Sequence, residues 1–143
     1  MAYSLTETKN ALSIAEQQYA TATKIKFTPF TSCIGVIAKK GDKLTGVHLV
    51  AIGDGGVFMP TDVNRVHNLL PTPADRITVF GFIDDWRSGL NGEEIKIATL
   101  KLTGELKLNV AHGEVEHYYE VKEDDGTYSA EIVGDGIKLT KEH

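Results

Sequence analysis

Cys33 is the one cysteine in a chain of 143 residues, and His48 lies fifteen positions after it. Together they could form a nucleophile and its base. A free thiol has a pKa of ~8.5 and is mostly protonated at neutral pH, whereas the thiolate attacks. An imidazole within reach can take the proton as the sulfur bonds to a carbonyl carbon. A poised pair of this kind is expected to label quickly with iodoacetamide at neutral pH.

Positioning depends on a hairpin. Ser32 to Lys39 reads as one strand and Leu44 to Ile52 as its return, joined by Lys40-Gly41-Asp42-Lys43. With Gly41-Asp42 as the two-residue loop, Lys40 pairs with Lys43 and Cys33 falls opposite Val50. His48 then lies on the same face as Cys33, on a diagonal of roughly 7–8 Å between backbones. A slip of one residue would put the two side chains on opposite faces.

A third group is expected to orient the imidazole. Thr28, Thr31, Ser32 and a backbone carbonyl are the candidates. The backbone amides of Ser32 and Cys33 could bind an oxyanion. The small residues Ser32, Gly35 and Gly46 are expected to leave room for a substrate. The competing reading makes Cys33, followed by Ile34, Gly35, Val36 and Ile37, a plain core residue. The protein would then be a non-catalytic β-rich interaction module.

The stretch from Thr31 to His48 resembles the catalytic hairpin of cysteine-dependent glutamine deamidases. Ser32-Cys33 opens one strand, Lys40-Gly41 turns, and Val47-His48 closes the return, a pattern similar to the cytotoxic necrotizing factor toxins. More loosely it resembles the CheD-like chemotaxis receptor deamidases. The resemblance implies a β-sandwich core flanked by helices, Cys33 as nucleophile and His48 as base. It also implies a bacterial, effector-like protein whose partner is a protein substrate bearing a glutamine. The chemistry would be a cysteine amidohydrolase reaction through a thioester, with no cofactor and no metal.

The rest of the sequence frames this site. One α+β domain is expected over residues 1–143, with a mostly antiparallel, sandwich-like core. An N-terminal helix is predicted from the Ser4/Glu7 capping pattern and from Leu5, Leu12, Ala15 and Tyr19. A short second helix is predicted over Thr61 to Leu70, stopped by Pro71 and Pro73. Strands are expected over Arg76–Ile83, Ile95–Thr103 (with a bulge near Ala98–Leu100), Leu106–Val110, Val115–Val121, Tyr128–Ile132 and Ile137–Leu139. Asp84 to Gly89 reads as a loop anchored by Trp86. Gly53-Asp54-Gly55-Gly56 lacks the Lys-Ser/Thr of a phosphate loop. It reads as a connection at the site rim, with Asp54 and Gly55 as substrate-binding candidates.

A net charge of −5 and the lack of a basic patch argue against nucleic acid. No apolar run approaches the ~20 residues of a membrane span, and no signal peptide is visible at the start. A soluble protein is expected, cytoplasmic or exported by a non-classical route. His112, Glu114 and Glu116 could share one strand face, with His117 on the other. No matching cluster completes a metal site there, so a solvated face is expected.

Overall fold

The computed structural model describes residues 3–110, the backbone of 117–120, and residues 126–142. The mixed α+β class and the mostly antiparallel sheets are as the patterning predicts. The strands are β1 (Thr6–Glu7), β2 (Gln18–Ala22), β3 (Lys24–Phe30), β4 (Ile34–Lys40), β5 (Lys43–Leu49), β6 (Ile52–Gly53), β7 (Gly56–Val57), β8 (Arg76–Gly81), β9 (His117–Glu120), β10 (Gly126–Val133) and β11 (Gly136–Glu142). The helices are α1 (Val63–Leu69, preceded by a 3-10 turn at Pro60–Asp62), α2 (Ile83–Ser88) and α3 (Glu93–Asn109).

Six strands form the larger sheet in the order β1-β2-β5-β4-β8-β9, in which only the two edge pairs are parallel. A second sheet runs β11-β10-β3, all antiparallel. Aromatic rings join the two. Phe80 of β8 stacks on Phe30 of β3 at 4.7 Å and meets Tyr128 of β10 at 5.2 Å. Phe27 of β3 meets Phe80 edge-on at 5.2 Å. Offset and edge-to-face rings of this kind combine large apolar burial with defined geometry. The result is sandwich-like packing. Strand β4, buried at every residue except Lys40, runs through its centre.

The central hairpin follows its turn chemistry. Lys40 pairs with Lys43, Ile37 with Gly46 and Gly35 with His48. Gly41, at φ 60°, supplies the left-handed residue that the tight turn needs. Ladder pairing ends at Ile34–Leu49, so Cys33 and Val50 are the next residues outward. The even register that the site requires is therefore present.

Four predicted elements differ. The N-terminal helix is absent. Residues 8–17 instead form an irregular strap between β1 and β2. The strap hydrogen-bonds to β3, with the Ile14 amide donating to the Lys26 carbonyl at 2.8 Å and the Lys26 amide donating to the Ala11 carbonyl at 2.8 Å. Leu12, counted on the apolar face of that helix, is 55% exposed, whereas Ile14 is fully buried. The expected strands over Ile95–Thr103 and Leu106–Val110 are a single helix, α3. Ile95, Ala98, Thr99, Leu102, Thr103 and Leu106 are buried at intervals of three and four, which is helical spacing. The apparent bulge near Ala98–Leu100 was this period. The Asp84–Gly89 loop is helix α2, with Asp84 and Asp85 in its first turn and Gly89 at φ 86° closing it.

The short second helix agrees with the sequence reading, and so do the paired strands β10 and β11. His112, Glu114 and Glu116 lie outside the described residues, as do parts of the expected 115–121 strand. No helix among the described residues is long and apolar enough to cross a membrane.

Candidate active site

Cys33 sits where the coil after β3 enters β4. Its carbonyl accepts from the Phe82 amide at 3.0 Å. The preceding carbonyl, that of Ser32, accepts from the indole Nε1 of the fully buried Trp86 at 2.8 Å. Both ends of the Ser32–Cys33 peptide are thus tied to the junction of β8 and α2. Gly81, at φ 128°, allows that approach, because a Cβ there would collide with the Cys33 carbonyl oxygen. Trp86 is therefore the anchor expected from the sequence, but it acts from a helix.

His48 lies in β5 beneath an aromatic roof. Phe30 stacks on its ring at 4.5 Å and Phe27 meets it edge-on at 5.8 Å. The side chain is fully buried, and its Nδ1 lies 2.9 Å from the Ile14 carbonyl oxygen. A carbonyl can only accept, so Nδ1 carries the proton and donates it. Nε2 is then the bare nitrogen, and it is buried with no hydrogen-bond partner. Burial pushes the imidazole below its ordinary pKa, against the opposing pull of the Ile14 carbonyl and the Glu16 carboxylate. The ring is thus a neutral base in one defined tautomer.

The strap delivers a third side chain that the sequence did not mark. The Cys33 thiol donates to Oε2 of Glu16 at 3.5 Å. The sulfur, a Glu16 oxygen and a His48 nitrogen all lie within 4.8 Å of one another. Glu16 is exposed at its surface side, while Cys33 and His48 are fully buried.

Gln17 fixes the strap beside Glu16. Its backbone is left-handed, at φ 62°. Its side-chain Nε2 donates to the Asp54 carbonyl at 2.7 Å and to the Ser4 carbonyl at 3.1 Å, and its Oε1 accepts from the Asp54 amide at 2.6 Å. The Gln17 amide donates to the His48 carbonyl at 2.7 Å. This clamp overcomes the cost of a positive φ on a non-glycine residue.

The other expected site residues fall around this centre in unequal ways. Thr28 participates through its backbone amide, which donates to the same Ile14 carbonyl at 2.9 Å. Thr31 and Ser32 are exposed on the coil before Cys33. The orienting position on the imidazole is held by the Ile14 carbonyl, one of the backbone carbonyls the sequence left open. Asp54 and Gly55 form the turn of the small β6–β7 hairpin, and the Asp54 backbone holds Gln17.

Gly35 and Gly46 do not leave space for a substrate. A Cβ at Gly35 would run into the Phe80 ring. One at Gly46 would lie 2.5 Å from Ile25 Cδ1 and 2.8 Å from Phe27 Cζ. Their missing side chains are filled by the aromatic seam that roofs His48.

Burial first, and then the Glu16 carboxylate, push the Cys33 thiol up to about 11. Backbone hydrogen bonding from Ser32 and Thr31 opposes the rise. At pH 7 the thiolate fraction is then about one in 10⁴. The resting site is a neutral thiol beside a neutral imidazole, and rapid alkylation at neutral pH is not expected. Glu16→Gln removes the neighbouring negative charge, which lowers the thiol pKa. At about pH 8 the alkylation rate of Cys33 by iodoacetamide should rise roughly three- to tenfold. Loss of free thiol over time measures it, and an unchanged or slower rate would contradict this account of the charge.

A scan against protein-family models finds no match to the chain, and comparison with curated proteins and with solved structures finds none either.

Proposed function

We propose that the protein is a cysteine amidohydrolase and that its substrate is the side-chain carboxamide of a protein glutamine. The observation that carries the reading is His48, one imidazole nitrogen of which lies within 4.8 Å of the Cys33 sulfur, while its Nε2 is buried and bare and its tautomer is set by the Ile14 carbonyl. The hairpin resemblance from Thr31 to His48 supports the choice of glutamine and, alone, the effector-like role.

His48 Nε2 takes the thiol proton as Sγ attacks the carboxamide carbon. The tetrahedral intermediate collapses to a thioester, and the proton on Nε2 leaves with ammonia. Water then attacks the thioester while His48 takes one of its protons. That proton returns to the sulfur, leaving glutamate and free Cys33. Because the thiol is protonated at rest, His48 acts as a general base within the attack rather than holding a standing ion pair. Glu16 accepts the thiol hydrogen bond, so its carboxylate must swing aside for the carboxamide to reach the sulfur.

The test is intact-mass analysis of glutamine-bearing proteins incubated with the full chain, where each deamidation adds about one dalton as an amide becomes an acid. The expected result is ammonia release matched to that mass gain. A second reading, a non-catalytic interaction module, is favoured by the complete burial of Cys33. It predicts no mass gain on any glutamine-bearing protein.

A further inference from the structure

The three side chains at the site are also a set of metal ligands. We propose that Glu16, Cys33 and His48 bind a zinc ion, and that zinc occupancy caps the sulfur and holds the site closed. The inference uses the same atoms as the amidohydrolase reading but does not depend on hydrolysis.

The geometry suits a tetrahedral ion. The Cys33 sulfur and Glu16 Oε2 are 3.5 Å apart. With Zn–S near 2.3 Å and Zn–O near 2.1 Å, one edge of a tetrahedron spans about 3.6 Å. The third ligand atom already lies within 4.8 Å of both, so a small contraction closes the set.

His48 supplies the second, independent observation. Its side chain is fully buried and its Nε2 has no partner. A buried polar atom without a partner is costly unless something binds it. Its other nitrogen donates to the Ile14 carbonyl, the arrangement by which ligating histidines are held in tautomer and orientation.

Ligand chemistry selects the ion. One thiolate, one imidazole and one carboxylate suit zinc, whereas calcium and magnesium need oxygen-rich sites. Glu16 is exposed, so an ion meets its carboxylate from solvent first. Binding replaces the S–H bond with an S–Zn bond and releases the proton to solvent, with no change of oxidation state. Three protein ligands leave a fourth position for water.

The experiment titrates the metal-free full chain with Co²⁺ as a spectroscopic substitute and then displaces it with Zn²⁺. The expected result is one ion per chain, with a thiolate-to-cobalt charge-transfer band and the visible bands of a tetrahedral ion. Cys33→Ala should abolish the charge-transfer band. Glu16→Gln, at an exposed position, should keep the fold and weaken Zn²⁺ at least tenfold in competition with a chromophoric chelator. Zinc should also block alkylation of Cys33. Cobalt bound without the charge-transfer band, or equal zinc affinity in Glu16→Gln, would overturn the proposal. Binding is read without substrate. A chain that takes zinc but deamidates nothing refutes only the amidohydrolase reading, and one that deamidates but ignores zinc refutes only this one.

Discussion

Cys33→Ala is expected to bring carboxamide hydrolysis down to the background rate, a loss of at least about 10⁴-fold, while the fold stays intact. Removing the sulfur leaves only a small void. The Ser32 and Cys33 carbonyls, which tie this peptide to Trp86 and Phe82, are backbone atoms and remain. His48→Gln should cost nearly as much, because the bare Nε2 is the nitrogen that can accept the thiol proton. In the proposed mechanism nucleophile and base act as one unit, so the double variant should be no slower than the worse single one. Rates of ammonia release across the three variants, with thermal melts alongside, measure this. Multiplicative losses, or an active Cys33→Ala protein, would contradict the shared mechanism.

Gly81→Ala is expected to produce the largest loss of stability, about 3–5 kcal/mol. Two costs combine. At φ 128° an L side chain is strained. The new Cβ would also collide with the Cys33 carbonyl oxygen and lie 2.8 Å from Ile34 Cα. Backbone cannot step aside as the tip of a long side chain can, so the start of β4 must move and take Cys33 with it. A fall in melting temperature of roughly 10–17 °C is expected for a chain of this size. Gly104→Ala provides the contrast. It lies exposed in α3, where a Cβ meets nothing within 4 Å. That change should raise stability by about 0.5–1 kcal/mol, because alanine favours helix over glycine. Chemical denaturation of both variants gives the comparison, and a destabilised Gly104→Ala or a neutral Gly81→Ala would be contrary.

The central hairpin was legible because its information is local. Lys40-Gly41-Asp42-Lys43 fixes the turn, the turn fixes the parity, and parity alone brings Cys33 and His48 to one face. The strap was not legible. Leu5, Leu12, Ala15 and Tyr19 mimic a helical stripe, and nothing in that spacing reports that Gln17 is held left-handed by Asp54, thirty-seven positions later. Ile14 and Glu16 reach the site through that distant clamp together with the strap's bonds to β3. For α3 the signal was present in the spacing of Ile95, Ala98, Thr99, Leu102 and Leu106. The β-branched Ile95, Ile97, Thr99 and Thr103 pulled the reading toward strand. In the helix the Thr99 and Thr103 hydroxyls bond back to the carbonyls of Ile95 and Thr99. Gly81 carried no visible mark, since its role is set by how closely two strands meet.

The carbonyl of Ile14 holds the imidazole in its working form, and every amino acid at position 14 would bring the same oxygen. An alanine scan should therefore find no side chain that itself bonds the imidazole; it should find Gln17, whose side chain clamps the strap that carries this oxygen. Only edits that shift the main chain, such as a one-residue deletion in the strap, can remove it. They should leave a ring free to exchange its two nitrogens, a change that nitrogen NMR of His48 would register directly.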